Sequence, residues 1–194
     1  MEVTTTSERF LTMKHIRPAA FLAALLLVLT ALAGCSKSEI PSGMIEASPA
    51  TGDYRLYVPS TWTVDLETGA VSAYYSKADP SSVNVMTWEV ANTDYTPEEW
   101  WESGLADLRT IYADHTLVAS NETLLGGVRA MQYEWTGKLG ENGYRFLQVA
   151  AVRHGLVYVF TYGTLDVTPE GSEVSRFASH LDDVGAMLSE FRFS

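Results

Sequence analysis

The chain predicts an α+β fold, one antiparallel β-sheet with amphipathic helices packed on it. Three observations predict it. Apolar and polar residues alternate in short segments separated by Gly-, Pro- and Asn-containing turns, the period of strands. Two segments switch to spacings of 3 and 4, the period of amphipathic helices. The links between successive strand segments are hairpin length, which implies antiparallel pairing.

Tyr54, Leu56 and Val58 alternate with Arg55 and Tyr57, and Pro59 stops that strand. Trp62 and Val64 continue an extended run to about Leu66, and Thr68 and Gly69 form a turn. Val71 to Ser76 reads as the next strand, closed by a turn over Ala78, Asp79, Pro80 and Ser81. Val83, Val85, Thr87 and Glu89 interleave with Asn84, Met86, Trp88 and Val90. Apolar groups on both faces predict an inner strand covered on both sides.

Then the period changes. Thr96 is an N-cap, Pro97 takes the first helical position, and Glu98 and Glu99 sit in the first turn near the positive end of the helix dipole. Trp101, Leu105, Leu108 and Tyr112 form one apolar stripe, and the helix should end near Asp114. Thr116 to Leu125 is extended, Gly126 and Gly127 make a tight turn, and Val128 to Thr136 follows with Arg129, Met131, Tyr133 and Trp135 on one side. A loop over Gly140 to Gly143 leads into Tyr144 to Arg153, then a turn at His154 and Gly155, then Leu156 to Thr164. After a turn at Thr168 to Gly171, a last helix is expected over about Ser172 to Glu190, with Phe177, Leu181, Val184 and Leu188 as its stripe. Phe191 to Phe193 leaves it extended.

Ahead of this domain lies a different kind of segment. Lys14, His15 and Arg17 are basic, and Ala19 to Ala33 is apolar except for Thr30. That length suits the apolar region of a signal peptide and is short of the roughly 20 residues of a membrane-spanning helix. Met13 directly precedes the basic stretch and reads as the natural start. The lone cysteine, Cys35, closes the run Leu32, Ala33, Gly34, Cys35. This run resembles the lipobox of bacterial lipoprotein precursors. The resemblance implies cleavage between Gly34 and Cys35, a diacylglycerol on the Cys35 sulfur, and attachment to the cell membrane on its exported side. The division is then a signal peptide over 1–34, a lipidated cysteine and flexible tether over 35–52, and a domain over 53–194. With no second cysteine the domain has no internal disulfide, so its core must supply its stability.

The net charge is −11, and residues 1–34 carry +1, so the chain from Cys35 onward carries −12. Such a chain is repelled by phosphate backbones, which argues against nucleic acid as a partner. No catalytic signature emerges. The histidines at 15, 115, 154 and 180 have no metal-ligand spacing, and the chain lacks a GxSxG nucleophile elbow, a GxGxxG turn and a P-loop. An envelope hydrolase would require a Ser or Asp hydrogen-bonded to a His in a cleft. No metal or cofactor is expected beyond the covalent lipid on Cys35. Two acidic groups, Glu98 with Glu99 and Glu102, and Asp182 with Asp183, offer oxygen ligands but lack the spacing of a calcium loop. Their plainer reading is a favourable helix dipole and a solvated helix face. Trp100 stands out among the five tryptophans, because Trp101 occupies the buried stripe and adjacent helical residues face different ways. Trp100, with Glu98, Glu99 and Glu102, is the candidate binding surface.

The run from Tyr54 to Val58 followed by Pro59, Ser60 and Trp62 is similar to the opening strand of PsbP-like proteins. The end resembles that family too: Val159, Phe160 and Tyr162, then a helix, then Phe191 and Phe193. The family includes the extrinsic PsbP subunit of photosystem II, its fold is shared by a Ran-binding protein and by many bacterial lipoproteins, and the resemblance spans residues 53–194. It implies an α-β-α sandwich and no particular activity. The expectation is a lipid-anchored, non-enzymatic binding or assembly module at the cell envelope, with an unknown envelope protein or small ligand as partner. The alternative is a solute- or metal-ion-binding lipoprotein serving a transporter or sensor.

Overall fold

The computed structural model describes residues 39–67, 71–92, 94–165 and 175–194. The expected signal peptide, Cys35, the start of the expected tether and the expected turns at Thr68-Gly69 and Thr168 to Gly171 lie outside them. Residues Ile40–Ser194 form one unit, distinct from residues 1–39.

Within that unit the described strands are β1 (Met44–Glu46), β2 (Tyr54–Arg55), β3 (Tyr57–Pro59), β4 (Thr63–Val64), β5 (Ala73–Tyr74), β6 (Ser82–Glu89), β7 (Ala113–Leu125), β8 (Val128–Leu139), β9 (Asn142–Arg153), β10 (Leu156–Leu165) and β11 (Arg192–Phe193). The helices are α1 (Pro97–Ile111), α2 (Arg176–Ser179) and α3 (Leu181–Glu190). A seven-stranded antiparallel sheet runs in the order β4, β5, β6, β10, β9, β8, β7, and two short ribbons pair β1 with β3 and β11 with β2. Sheet predominates over helix. No helix among the described residues is long and apolar enough to cross a membrane.

Strands β7 to β10 are successive hairpins, as their spacing predicted. Gly126 and Gly127 (φ 55° and 80°), and His154 and Gly155 (φ 52° and 77°), supply the left-handed residues that a two-residue hairpin turn requires. Strand β6 lies beside β10, whereas β7 lies at the far edge. The β6-to-β7 connection must therefore cross three strands, and α1 makes that crossing. Its contacts are with β7, β8 and β9.

The two sheet faces bury different sets. On the first, Val83, Tyr162 and Leu147 fall in one cross-strand row and Val85, Phe160 and Val149 in the next. This face packs against Phe177 of α2, Val184 and Met187 of α3, Trp62, Tyr54 of β2, and Phe191 at the end of α3. On the second face Trp101, Tyr133 and Trp135 form the buried centre beneath α1. Tyr133 stacks on Trp101 at 4.2 Å and 6°, and Trp135 on Phe146 at 4.2 Å and 23°. Gly163 lies opposite Phe146, and a Cβ there would sit 2.8 Å from its ring.

Several expectations are corrected. The tether does not remain free as far as Gly52: Met44, Ile45 and Glu46 pair with Pro59, Val58 and Tyr57, and Ala47 is fully buried. Ile45 and Ala47 alternate inward, which a Ser- and Pro-rich composition concealed. Helix α1 stops at Ile111, with Tyr112 as an extended C-cap. The last helix breaks at His180 (φ −115°, ψ 6°) into α2 and α3. That break re-phases the stripe, so Met187 is fully buried while Leu181 is 39% exposed. Strand β6 is not covered on both sides. Strand β5 reaches β6 only at Ser82 and Val83, and α1 crosses away from β6, so Met86 and Trp88 stand 50% and 40% exposed.

Candidate functional site

Helix α1 carries two stripes one residue apart. Trp101, Leu105, Leu108 and Tyr112 pack on Tyr133 and Trp135. Trp100, Gly104, Asp107 and Ile111 repeat the same 4, 3, 4 spacing on the neighbouring face. A capping box fixes the entry of the helix. Glu99 N donates to Thr96 Oγ1 at 3.1 Å, and Thr96 N donates to Glu99 Oε2 at 2.7 Å. Arg129 on β8 holds the same end, its guanidinium bonding Glu98 at 2.6 and 3.2 Å and Glu122 at 3.1 and 3.2 Å. These bonds from Arg129 hold the Glu98 carboxyl below its ordinary range.

Because α1 leans over β8, an open cleft of about 370 Å³ lies between it and β6. One wall is the second stripe, Trp100, Gly104, Asp107 and Ile111, with Trp101 and Leu108 beside it. Met86 and Trp88 of β6 make the other wall. Trp88 and Trp100 approach to 6.2 Å between ring centroids at 32°. Gln148 on β9 forms the floor. Its Oε1 accepts from Trp135 Nε1 at 2.8 Å and its Nε2 donates to Thr161 Oγ1 at 3.2 Å, so its orientation is set from below. A Cβ on Gly104 would meet nothing within 4 Å, so this glycine widens the cleft at its middle. A second hollow of about 260 Å³ lies further along the same sheet face, beside Tyr112, Phe146 and Gly163.

The structure separates the residues singled out in the sequence. Trp100 lines the cleft. Glu98 is engaged by Arg129 and Glu99 by the cap, and Glu102 is exposed on the helix surface. Among the described residues no three His, Cys, Asp or Glu side chains converge as a metal site would require. Asp183 is not merely a solvated residue, because its Oδ2 accepts from Trp62 Nε1 at 2.8 Å. Trp88, Met86, Gly104 and Asp107 were missed as cleft residues. The repeated 4, 3, 4 spacing that starts at Trp100 was the signal available for the helical wall.

A His–Asp–Ser cluster does occur, away from the cleft. His180 Nε2 lies 2.9 Å from Asp79 Oδ2, and Ser81 Oγ donates to Asp79 Oδ1 at 2.6 Å. Asp79 stands between the other two, so His180 does not touch the Ser81 hydroxyl as a general base would. Ser81 is fully buried and His180 is 5% exposed, packed between Trp62 and Tyr75. The cluster ties the β5–β6 connection to the α2–α3 break.

No family model matches the chain, and no curated protein matches it in sequence. Solved structures do match. The cyanobacterial PsbP of Synechocystis sp. PCC 6803 superposes with a TM-score of 0.54 over 84% of this chain and 99% of its own, at 15% identity. The domain has a PsbP-like fold. LpqN of Mycobacterium tuberculosis, described as involved in cell envelope biogenesis, matches with a TM-score of 0.48 at 13% identity, over 80% of this chain and 81% of its own. At these identities the likeness is one of fold. What the cleft can do rests on this domain's own side chains, since a fold does not carry a function with it.

Proposed function

We propose that this protein is a membrane-anchored, non-enzymatic envelope lipoprotein whose PsbP-like domain is a binding module, with the α1–β6 cleft as its seat. The observation that carries the reading is the exposed aromatic cleft itself. Trp88, Met86 and Ile111 are 40%, 50% and 55% exposed around one concavity, whereas large apolar groups gathered in a hollow ordinarily mark a binding surface. The helical wall is rigid: α1 is capped, pinned by Arg129 and stacked on Tyr133. A rigid seat loses little freedom when it is filled. The basic and apolar leader and Cys35 support export and lipid attachment.

A volume of about 370 Å³ favours a small solute over a macromolecule as what enters the cleft. This favours the solute-binding form of the reading, in which the lipoprotein serves a transporter or sensor. The test is native recovery. The full chain is purified from its own membranes, intact and as Gly104→Leu, and bound molecules are identified by mass spectrometry. Leucine is a good helix former and would project into the cleft. The reading expects a molecule present with the native chain and lost with Gly104→Leu. An identical set in both preparations, or turnover of a substrate without a retained ligand, would contradict it.

A further inference from the structure

The charges and rings around the cleft narrow what it can hold, on the premise that the cleft is the binding seat. Among the described residues, Asp107 is the one ionisable residue in its lining, and no Lys or Arg lines it. Aromatic faces carry negative potential and attract cations, indole most strongly. Trp88 and Trp100 present two indoles to the same hollow. The floor amide is neutral and engaged on both sides, with Gln148 Oε1 accepting from Trp135 and its Nε2 donating to Thr161, so it brings no charge of either sign. An anionic head would therefore meet a carboxylate and two indole faces with no cation to receive it. An uncharged apolar body would fill the hollow and gain nothing from Asp107. A cation with an apolar body uses every part of the wall. Its head lies over Gly104, where the wall is open, between the indoles on one side and the Asp107 carboxylate about one turn further along α1, and its body lies against Met86, Leu108 and Ile111. The net charge of −12 from Cys35 onward raises the local concentration of cations over anions.

We propose that the α1–β6 cleft binds an organic cation with an apolar or aromatic body, a substituted ammonium compound, with Asp107 as its counter-charge and Trp88 and Trp100 as its cation-binding faces. Selectivity follows from the wall. Ammonium ligands are preferred to neutral ligands of the same shape, and carboxylates and phosphates of the same shape are rejected.

An isosteric pair tests this. Phenyltrimethylammonium and tert-butylbenzene share a shape and differ by one charge. Each is titrated into the mature chain purified from membranes, with tryptophan fluorescence as the readout, on the native protein, Asp107→Asn and Gly104→Leu. The expected result is binding of the cation about tenfold or more tighter than its neutral twin. Asp107→Asn should remove most of that preference, and Gly104→Leu should abolish both titrations. Equal affinity for the two probes, abolished by Gly104→Leu, would overturn the cationic assignment and leave the cleft as a seat for apolar ligands. Cation binding unchanged in Gly104→Leu would place it elsewhere and overturn the assignment. Binding of neither probe would overturn it too, and native recovery of a cleft-dependent molecule then decides separately whether the cleft is a seat at all. Circular dichroism of both variants shows whether they are folded.

Discussion

The indoles of Trp88 and Trp100 meet at 6.2 Å although one stands on a strand and the other on the helix that crosses away from it. Their neighbour Trp101 is 6% exposed and stacked on Tyr133. Adjacent tryptophans thus have separate tasks, and the two should respond differently to truncation. Trp101→Ala should cost about 3–5 kcal/mol of stability, as large buried rings do. Trp100→Ala should cost less, because its ring is partly exposed at the cleft, although it also packs on the edge of both clusters on that face. Urea denaturation of the two variants checks this. Equal losses would mean that Trp100 is a core residue and the cleft wall incidental.

The hairpins, the capped helix and the buried stripe were legible because each is a local pattern with one physical solution. Gly126 with Gly127 can only be a tight turn here, and Thr96, Pro97 and Glu99 can only open a helix. The cleft was half legible. Trp100 was marked by its position beside Trp101, but its partner Trp88 was assigned to a strand covered on both faces. That error came from topology. Apolar residues on both faces of β6 look the same whether α1 crosses over the strand or leaves it bare, and the order of strands in the sheet decides between them. Glu98 was legible as a favourable helix-start charge. Its engagement by Arg129 was not, since 31 residues separate them.

Gly104 offers a prediction of opposite sign for stability and function. A glycine inside a helix costs roughly 1 kcal/mol relative to alanine, and the space around its Cβ position is open. Gly104→Ala should raise stability by up to about 1 kcal/mol while narrowing the cleft. Thermal denaturation with a parallel ligand titration measures both. A loss of stability would show that the space beside Gly104 is filled.

Asp79 sets an acid limit. Burial pushes its carboxyl up, but hydrogen bonds from His180 and Ser81 outweigh this and hold it below its ordinary value of 3.8. A carboxyl lowered in the folded state contributes stability that is complete above the unfolded value and is lost as pH falls through the folded one. Stability should therefore fall as pH drops below about 4. Asp79→Asn should be less stable at pH 7 by roughly 1–3 kcal/mol and should show a shallower acid slope. Urea midpoints between pH 7 and 3 give both quantities, and parallel slopes for the two proteins would remove Asp79 from the account.

The capping box should be measurable on its own. Thr96→Ala leaves the Glu99 N–H without its side-chain acceptor and should cost about 1 kcal/mol. Hydrogen exchange should show the loss confined to the first turn of α1. Faster exchange spread evenly over the sheet would show that the cap acts elsewhere.

Attachment and folding should separate cleanly at Cys35, which lies outside the unit Ile40–Ser194. Cys35→Ala is expected to move the protein from the membrane to the soluble fraction with an unchanged melting temperature. A variant still acylated and membrane-bound would contradict the lipid assignment, and a lowered melting temperature would contradict the domain division.

The most direct test of the cleft as a binding seat uses the five tryptophans as reporters. With 5-fluorotryptophan in the full chain, each of Trp62, Trp88, Trp100, Trp101 and Trp135 gives its own fluorine resonance, assigned by single substitutions. An extract of small molecules from the protein's own envelope is then added. The account predicts that Trp88 and Trp100 shift together while the buried Trp62 and Trp135 stay in place. Shifts confined to Trp62 or Trp135, or no shift at Trp88 and Trp100 with an extract that raises the melting temperature, would contradict it.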